Sequence, residues 1–421
     1  MVLKVRISRS SLCGSLQAPP SKSYTHRAMF CAALAHGESK LHSPLLCDDT
    51  ITTSEALSKI GISVNWNCGG ACIIQSRGLK KPAGEIFCRE SGTTLRFMTA
   101  ICATTIHETD ISGGPSLLKR PVKDLVFALQ ELGANCTSDG GYPPVHVRGP
   151  IKGGSVRIPG NVSSQYVSAL LLAAPFGEKP VEISISGRLE SKSYVEMTLD
   201  MQTKFGVRVD TEDFTKFRPV AGTYRSSSVQ IEGDWSSAAF LLVGATIAGE
   251  KVKVHGLAQQ TLQADRHLLQ VLEQIGGRVC QDFSSVTVEK SEVTPLGVDV
   301  SDCPDLFPVM CALSASTDGV STISGIQRLR IKESNRVLAM STGLKQMGIK
   351  TVESRDSLII HGGKPHGATL DPHRDHRMAM AFAALGLCTG EVTIVDAECV
   401  EKSYPSFWSD LQSLGAEVRV H

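Results

Sequence analysis

Two kinds of segment alternate along the chain. The first is alanine-rich and helix-like: HRAMFCAALAHG from His26, TLRFMTAICATT from Thr94, QYVSALLLAAPFG from Gln165, SSAAFLLVGATIAG from Ser236, LFPVMCALSASTDG from Leu306 and HRMAMAFAALGLCTG from His376. Short β-type runs such as VKVHGL, VSTISGI and VTIVDA follow most of them. The second kind carries apolar residues at three- and four-residue steps, the spacing of one helix face, and stops at a glycine. The closing glycines are Gly61, Gly133, Gly206, Gly276, Gly348 and Gly415, and each fits a left-handed C-cap. The unit recurs about every 70 residues, longer than the usual solenoid repeat. Six copies are expected, three to a domain, each alternating strand, helix, strand, helix and further strands.

Helix starts give this pattern a chemical meaning. Ser91, Ser163, Asp234 and Asp375 stand where N-caps belong. A helix N-terminus offers amide donors and the positive end of a dipole, so it accepts anions. Three copies packed around a pseudo-threefold axis would aim such ends the same way. Copies one to three occupy 19–233, and copies four to six occupy 234–421. The first 18 residues hold a strand without a helix, expected to join the last copy, which otherwise ends on the single strand AEVRVH. The expected domains are therefore 1–18 with 234–421, and 19–233. Two crossings between them would make a hinge able to close over a ligand.

Composition narrows the function class. The chain has 421 residues, 42% apolar and 20% charged, which suits a globular α/β protein of two domains. No run of apolar residues is long enough to span a membrane, and the start, MVLKVRISRSSLCG, lacks the apolar core of a signal peptide. A cytoplasmic protein is expected. Thirteen cysteines are scattered without CxxC pairs. Cys68 and Cys72 are the closest, in a glycine-rich turn, and reduced thiols are expected throughout.

A net charge of only +1 gives nucleic-acid binding no support. It also makes three local cationic clusters conspicuous: PPSKSYTHR at 19–27, RLRIKESNR at 328–336 and DPHRDHR at 371–377. Compact cations in a near-neutral chain point to a small ligand with several negative charges. Lys22, Ser23 and Arg27 lie where loop turns into helix. Gly92 lets backbone approach a ligand closely ahead of Arg96; Arg120 follows a Gly-Gly-Pro turn. Ser163, Ser164 and Gln165 make a phosphate seat, and Ser191 with Tyr194 lies in the same copy. Asp305 sits at the mouth of a helix, and Glu333 lies between Lys332 and Arg336. Such carboxylates among cations stay charged and could divide acid and base work. Asp375, His376 and Arg377, with Lys402 in the EKSYP segment, complete the set. Ordinary capping and ion pairing would explain any one of these residues; their recurrence beside helix starts favours a site. His373 and His376 have no companion ligands, so no metal is expected. No Gly-x-Gly-x-x-Gly or Walker sequence is present, so no nucleotide cofactor is expected either.

These segments together resemble the enolpyruvyl transferase family, and within it the 5-enolpyruvylshikimate-3-phosphate synthases. PPSKSYTHRA, SGTTLR, RPVKDL, VSSQ, SKSY, EGDWSSA, the PD of CPDLFP, RIKESNR, DHRMAM and EKSYP carry the resemblance over nearly the whole chain. It implies two domains, each of three βαβαββ repeats in an inside-out α/β barrel, with the active site in the interdomain cleft. It implies transfer of the enolpyruvyl group of phosphoenolpyruvate to the 5-hydroxyl of shikimate 3-phosphate, by a monomer without cofactor, metal, nucleic acid or membrane. By the same resemblance Ser23, Arg27, Ser163, Ser164, Gln165, Ser191, Tyr194, Asp305 and Lys332 hold shikimate 3-phosphate. Lys22, Gly92, Arg120, Gln165, Arg336, Arg377 and Lys402 hold phosphoenolpyruvate. Asp305 accepts the hydroxyl proton, and Glu333 or Lys22 protonates the methylene carbon. The sequence departs from the family at Arg328, where some members have Asn, at Phe97, where many have Pro, and at Tyr24, Thr25 and His26. Two alternatives stand beside this one. A UDP-N-acetylglucosamine enolpyruvyl transferase would place a cysteine in the loop that here reads RPVKD. A non-catalytic anion- or RNA-end-binding repeat protein would need stacking aromatics, and aromatics are only 5% of the chain.

Overall fold

In the computed structural model, which describes residues 3–67, 69–220 and 223–421, every copy of the repeat is a four-stranded sheet with two helices. The chain divides into two compact units, Met1–Pro19 with Glu232–His421, and Pro20–Ile231. The second contains helices α1 (Lys22–Leu34), α2 (Asp48–Lys59), α3 (Gly92–Cys102), α4 (Lys123–Glu131), α5 (Ser164–Ala173) and α6 (Lys192–Lys204). The first contains α7 (Trp235–Ala248), α8 (His267–Gln274), α9 (Phe307–Ala315), α10 (Arg336–Gln346), α11 (His376–Thr389) and α12 (Phe407–Ser413).

All six sheets share one topology. The first two strands run parallel in every sheet, and in four of the six copies a helical crossover joins them directly. The fourth strand joins the second antiparallel, and the third takes the edge beyond it. Odd-numbered helices are buried nearly all round: α9 is buried from Phe307 to Ala315, and α11 from His376 to Leu387. Their alanine and glycine content lets neighbours approach closely, and α7, α9 and α11 pack together at the centre of their unit. Even-numbered helices bury one face only, as α4 does with Leu125, Val126, Ala128 and Leu129. Each fully buried Leu, Ile or Phe contributes roughly 1.5–3 kcal/mol.

The closing glycines behave as the pattern predicts. All six have φ between 82° and 96°, where a Cβ would be strained. The amide after each glycine donates to a carbonyl five residues back, from Ile62 to Leu57, Ala134 to Leu129, Val207 to Gln202, Gly277 to Leu272, Ile349 to Leu344 and Ala416 to Leu411. That is the long bond of a Schellman cap.

The N-terminal segment corrects the sequence reading. Residues 1–18 hold two strands, and they enter different sheets. Val5–Ile7 pairs antiparallel with Val392–Ile394 and Val418–Val420 in the last copy. Leu12–Gln17 instead pairs parallel with Gly249–His255 in the fourth copy. The reason is that the fourth copy starts directly with α7, so its sheet lacks a first strand and would expose an open edge. Copy one has the same deficit, and Ser228–Gln230, from the far end of its unit, fills it parallel to Gly37–His42. Cys68 lies outside the described residues; the twelve described cysteines are all thiols.

Candidate active site

In the unit Pro20–Ile231, four helix starts, those of α1, α3, α5 and α6, carry most of the sequence-predicted groups. Ser21 caps α1, accepting from the Tyr24 amide, so Lys22 falls on the first helical residue. Its Nζ donates to Asp49 Oδ2 at 2.8 Å, in the first turn of α2. Arg27, one turn further, is almost wholly buried. It donates to Thr198 Oγ1 at 2.8 Å, the Ser23 carbonyl at 2.9 Å and the Tyr194 carbonyl at 2.7 Å. Burial lowers its pKa to about 10. Arg27 thereby ties Ser23 to Tyr194, whose helix α6 starts after Ser191 in a left-handed conformation. Phe97, a departure from the family pattern, packs edge-on against Phe30 and lies 5.8 Å from the Arg27 guanidinium.

Arg96 and Arg120 meet over the start of α3. A Cβ placed on Gly92 would lie 2.9 Å from an Nη1 atom of each, so only glycine leaves both guanidiniums this close to the backbone. Gln165 joins them: its Oε1 accepts from Arg96, and its Nε2 donates to Thr93 Oγ1 at 2.9 Å. Ser163 caps α5 by accepting from the Gln165 amide at 3.3 Å, with Ser164 next to it. Two like charges beside a helix N-terminus repel each other in a poorly screened place. A bound anion relieves that repulsion.

In the other unit the centre is Arg336, the first residue of α10, which is 1% exposed. Its Nη1 donates to Asp305 Oδ1 at 2.9 Å, its Nη2 to Glu333 Oε2 at 2.9 Å and its Nε to Asp375 Oδ2 at 2.8 Å. Asp305 reaches a second cation, with Arg377 Nη2 2.8 Å from its Oδ2. Asp375 caps α11 and also accepts from Ser334 Oγ at 3.1 Å. Glu333 lines a recess of about 290 Å³ together with Ser334, Asn335 and His373. Lys402 is buried at the end of a 3₁₀ turn, Ala397–Lys402.

The charges hold one another in unusual states. Burial pushes the Asp305 carboxyl up, but Arg377, Arg336 and Lys332 together outweigh it and hold the group well below the usual carboxylate range. Burial also lowers Arg336, yet Asp375, Glu333 and Asp305 raise it further still. Lys332 goes the other way. Burial lowers it, Arg328 and Arg336 add to that, and despite Asp305 it comes down to about 7. Arg328, another departure, donates to the Ser301 carbonyl at 2.6 Å.

The structure thus gathers Lys332, Glu333, Arg336, Asp305 and Arg377 in one unit, and Gly92, Arg120 and Gln165 in the other. Sequence reasoning missed Asp49 beside Lys22 and the buried carboxylate Asp265, and it named Asp375 without foreseeing that it is the third anion on Arg336. Neither Asp49 nor Asp265 stands in a cationic cluster of the sequence, which is why they gave no signal. Among the described residues no three His, Cys, Asp or Glu are arranged to hold a metal ion.

Comparison with known proteins identifies the family. The profile of the family described as EPSP synthase (3-phosphoshikimate 1-carboxyvinyltransferase) matches residues 7–411. A 3-phosphoshikimate 1-carboxyvinyltransferase of Methanoculleus marisnigri is 39% identical over 418 residues, 98% of this chain and 99% of that one. One from Dehalococcoides mccartyi is 41% identical over 419 residues, 99% of each chain. A solved EPSP synthase structure from Acinetobacter baumannii superposes with a TM-score of 0.84 at 28% identity, covering all of both chains. With a profile match, relatives and a fold that each span essentially its whole length, the chain belongs to the EPSP synthase (3-phosphoshikimate 1-carboxyvinyltransferase) family.

Proposed function

We infer that the two cationic groups serve the reaction of this family. The enzyme transfers the enolpyruvyl group of phosphoenolpyruvate to the 5-hydroxyl of shikimate 3-phosphate and releases phosphate, a step of the shikimate pathway. On this reading 1–18 with 234–421, and 19–233, are its domains, and both contribute groups. Ser23, Arg27, Ser163, Ser164, Gln165, Ser191, Tyr194, Asp305 and Lys332 serve shikimate 3-phosphate. Lys22, Gly92, Arg120, Gln165, Arg336, Arg377 and Lys402 serve phosphoenolpyruvate. The protein works as a monomer in the cytoplasm, binding neither nucleic acid nor membrane. No helix among the described residues is long and apolar enough to cross a membrane.

The observation that supports these roles most is the Asp305 carboxylate lying between Arg336 and Arg377. In that state it is a weak base. Substrate phosphate and carboxylate compete for the same guanidinium donors, and each bond they take from Asp305 raises its affinity for a proton. The base is therefore switched on by the anions whose reaction it serves. Asp305 takes the proton of the 5-hydroxyl, and Glu333 or Lys22 delivers one to the methylene carbon. The oxygen attacks the cationic C2, and the tetrahedral adduct then loses phosphate from C2 and a proton from the new methyl carbon, which restores the carbon–carbon double bond. Roughly six negative charges meet in the process, which fixed cations and helix ends must offset.

Phosphate release tests the reading. It should appear with shikimate 3-phosphate and phosphoenolpyruvate together, and not with UDP-N-acetylglucosamine as acceptor; release with the sugar nucleotide alone would reverse the assignment.

Two further results are expected. Lys22→Met strands the largely buried Asp49 without its cation and removes a charged ligand contact. It should lower kcat/KM for phosphoenolpyruvate by at least ~2 kcal/mol in activation free energy; unchanged kinetics would remove Lys22 from the site. Lys332 predicts a pH effect. It is charged below about 7 and neutral above, so binding an anion above that pH requires proton uptake. Affinity for shikimate 3-phosphate, measured by calorimetry, should fall by up to about tenfold per pH unit there. Lys332→Met should abolish the slope.

A further inference from the structure

Thr25 and His26, two of the positions where the sequence departs from the family pattern, both turn toward the second helix. Thr25 Oγ1 accepts from the Leu45 amide at 3.0 Å, in the loop that leads into α2. His26 lies one turn beyond Lys22 on α1, and Thr53 lies one turn beyond Asp49 on α2. Lys22 Nζ and Asp49 Oδ2 form one rung between these helices at 2.8 Å. His26 Nδ1 and Thr53 Oγ1 form a second, also at 2.8 Å. The second rung continues into α3. Thr53 Oγ1 is 2.7 Å from Thr94 Oγ1, which is 2.7 Å from Ser91 Oγ. Ser91 is the N-cap of α3 and accepts from the Thr94 amide at 3.4 Å. His26 is 1% exposed, and Thr53, Thr94 and Ser91 are wholly buried. A buried polar line thus runs from α1 through α2 to the start of α3, all inside the unit Pro20–Ile231.

Stability alone does not require this line. The same three helices supply Phe30, Leu57, Leu95 and Phe97 to the apolar core of the unit. Apolar side chains at 53 and 94 would extend that core. Exchanging both partners of a buried hydrogen bond for apolar groups of the same shape is nearly neutral. What a hydroxyl chain adds is one fixed arrangement, because each oxygen bonds in few directions and its partners are set by its neighbours. The helices fixed in this way are the three whose starts carry Lys22, Asp49 and Gly92.

We propose that His26 and Thr53 are positioning residues for phosphoenolpyruvate, holding Lys22 on α1 at a set distance from the arginine-flanked start of α3. This rests on the assignment of Lys22, Gly92 and Arg120 to that substrate. Both residues act from beneath the site, through the helices they join. Thr53 is the hub: its one oxygen meets His26 on one side and Thr94 on the other. Removing that oxygen breaks the line in the middle and lets α1 and α3 shift against each other. A small, highly charged ligand held from both helices registers such a shift strongly. Within this unit the groups assigned to shikimate 3-phosphate lie on α1 and at the starts of α5 and α6, which the line does not join. The effect should therefore fall on one substrate.

The test uses the full-length protein and steady-state phosphate release, with KM for each substrate measured while the other is saturating. Thr53→Val keeps the shape of the side chain and loses the hub oxygen. It should raise KM for phosphoenolpyruvate about tenfold, the upper range for one buried hydrogen bond, and leave KM for shikimate 3-phosphate within about twofold of the parent. His26→Phe removes the ring nitrogen but spares the bond between Thr53 and Thr94. It should move KM for phosphoenolpyruvate in the same direction and by less. Thr53→Ser returns the oxygen and should restore the parent value.

An unchanged KM for phosphoenolpyruvate in Thr53→Val would overturn the proposal. An equal rise for both substrates would do so too, because it would report a general loosening of the unit. A Thr53→Ser enzyme no better than Thr53→Val would count against it in the same way. Should Thr53→Val fail to fold, Thr94→Ala breaks the next bond of the line and carries the same expectation. A parent protein that releases no phosphate would sink the reaction and this proposal with it, whereas an active parent with unmoved variants would sink this proposal alone.

Discussion

Replacing Arg336 by alanine should destabilise its unit by about 3–5 kcal/mol, the range for breaking a buried charge network from one side. Three carboxylates, Asp305, Glu333 and Asp375, hold this guanidinium at 2.8–2.9 Å. Asp375 is fully buried. Without the cation the three face one another in a place that water screens poorly. Urea unfolding near neutral pH should show the loss. The sign with pH is fixed by Asp305, whose folded pKa is depressed. Its stabilisation is present above the unfolded carboxyl pKa and disappears as pH falls through the folded one. The variant has lost that contribution, so the gap between it and the parent should narrow in acid. Arg336→Lys supplies one charge but no fork, and should recover only part of the loss. A variant as stable as the parent would mean that these ion pairs are not formed in solution.

Asp305→Ala should lower kcat by roughly two to four orders of magnitude, the usual contribution of a positioned general base. Binding should move little, and for phosphoenolpyruvate in the favourable direction. Removing the carboxylate leaves more of Arg336 and Arg377 for the ligand. Kinetics resolved into kcat and KM check this. A rise in KM with kcat preserved would show that Asp305 only binds.

Local signals in the sequence are those confirmed most fully. The six closing glycines need a positive φ whatever surrounds them, so spacing alone identifies them. Ser91, Ser163, Asp234 and Asp375 cap helices through bonds to amides two or three residues on. Long-range pairing is different. Nothing in Leu12–Gln17 indicates that its partner is Gly249–His255 rather than a strand of the last copy. The site shows the same division. Cations clustered in the chain are visible in the sequence, whereas most of the acids that meet them lie tens of residues away along the chain. Asp305 and Asp375 reach Arg336 across 31 and 39 residues of chain, and Asp49 reaches Lys22 across 27. The sequence also suggested cations turned toward a ligand. In the fold Arg336 is already surrounded by carboxylates, and on the proposed reading the strength of Asp305 as a base would depend on what else the arginine binds.

The central claim is that the carbon fragment of phosphoenolpyruvate, not its phosphoryl group, is transferred. The most direct measurement places heavy oxygen in the bridge between carbon and phosphorus of phosphoenolpyruvate, and reads the released phosphate by phosphorus NMR. Enolpyruvyl transfer breaks the carbon–oxygen bond, so the label should leave with inorganic phosphate and shift its resonance. Unlabelled phosphate, with the heavy oxygen retained in pyruvate, would contradict it.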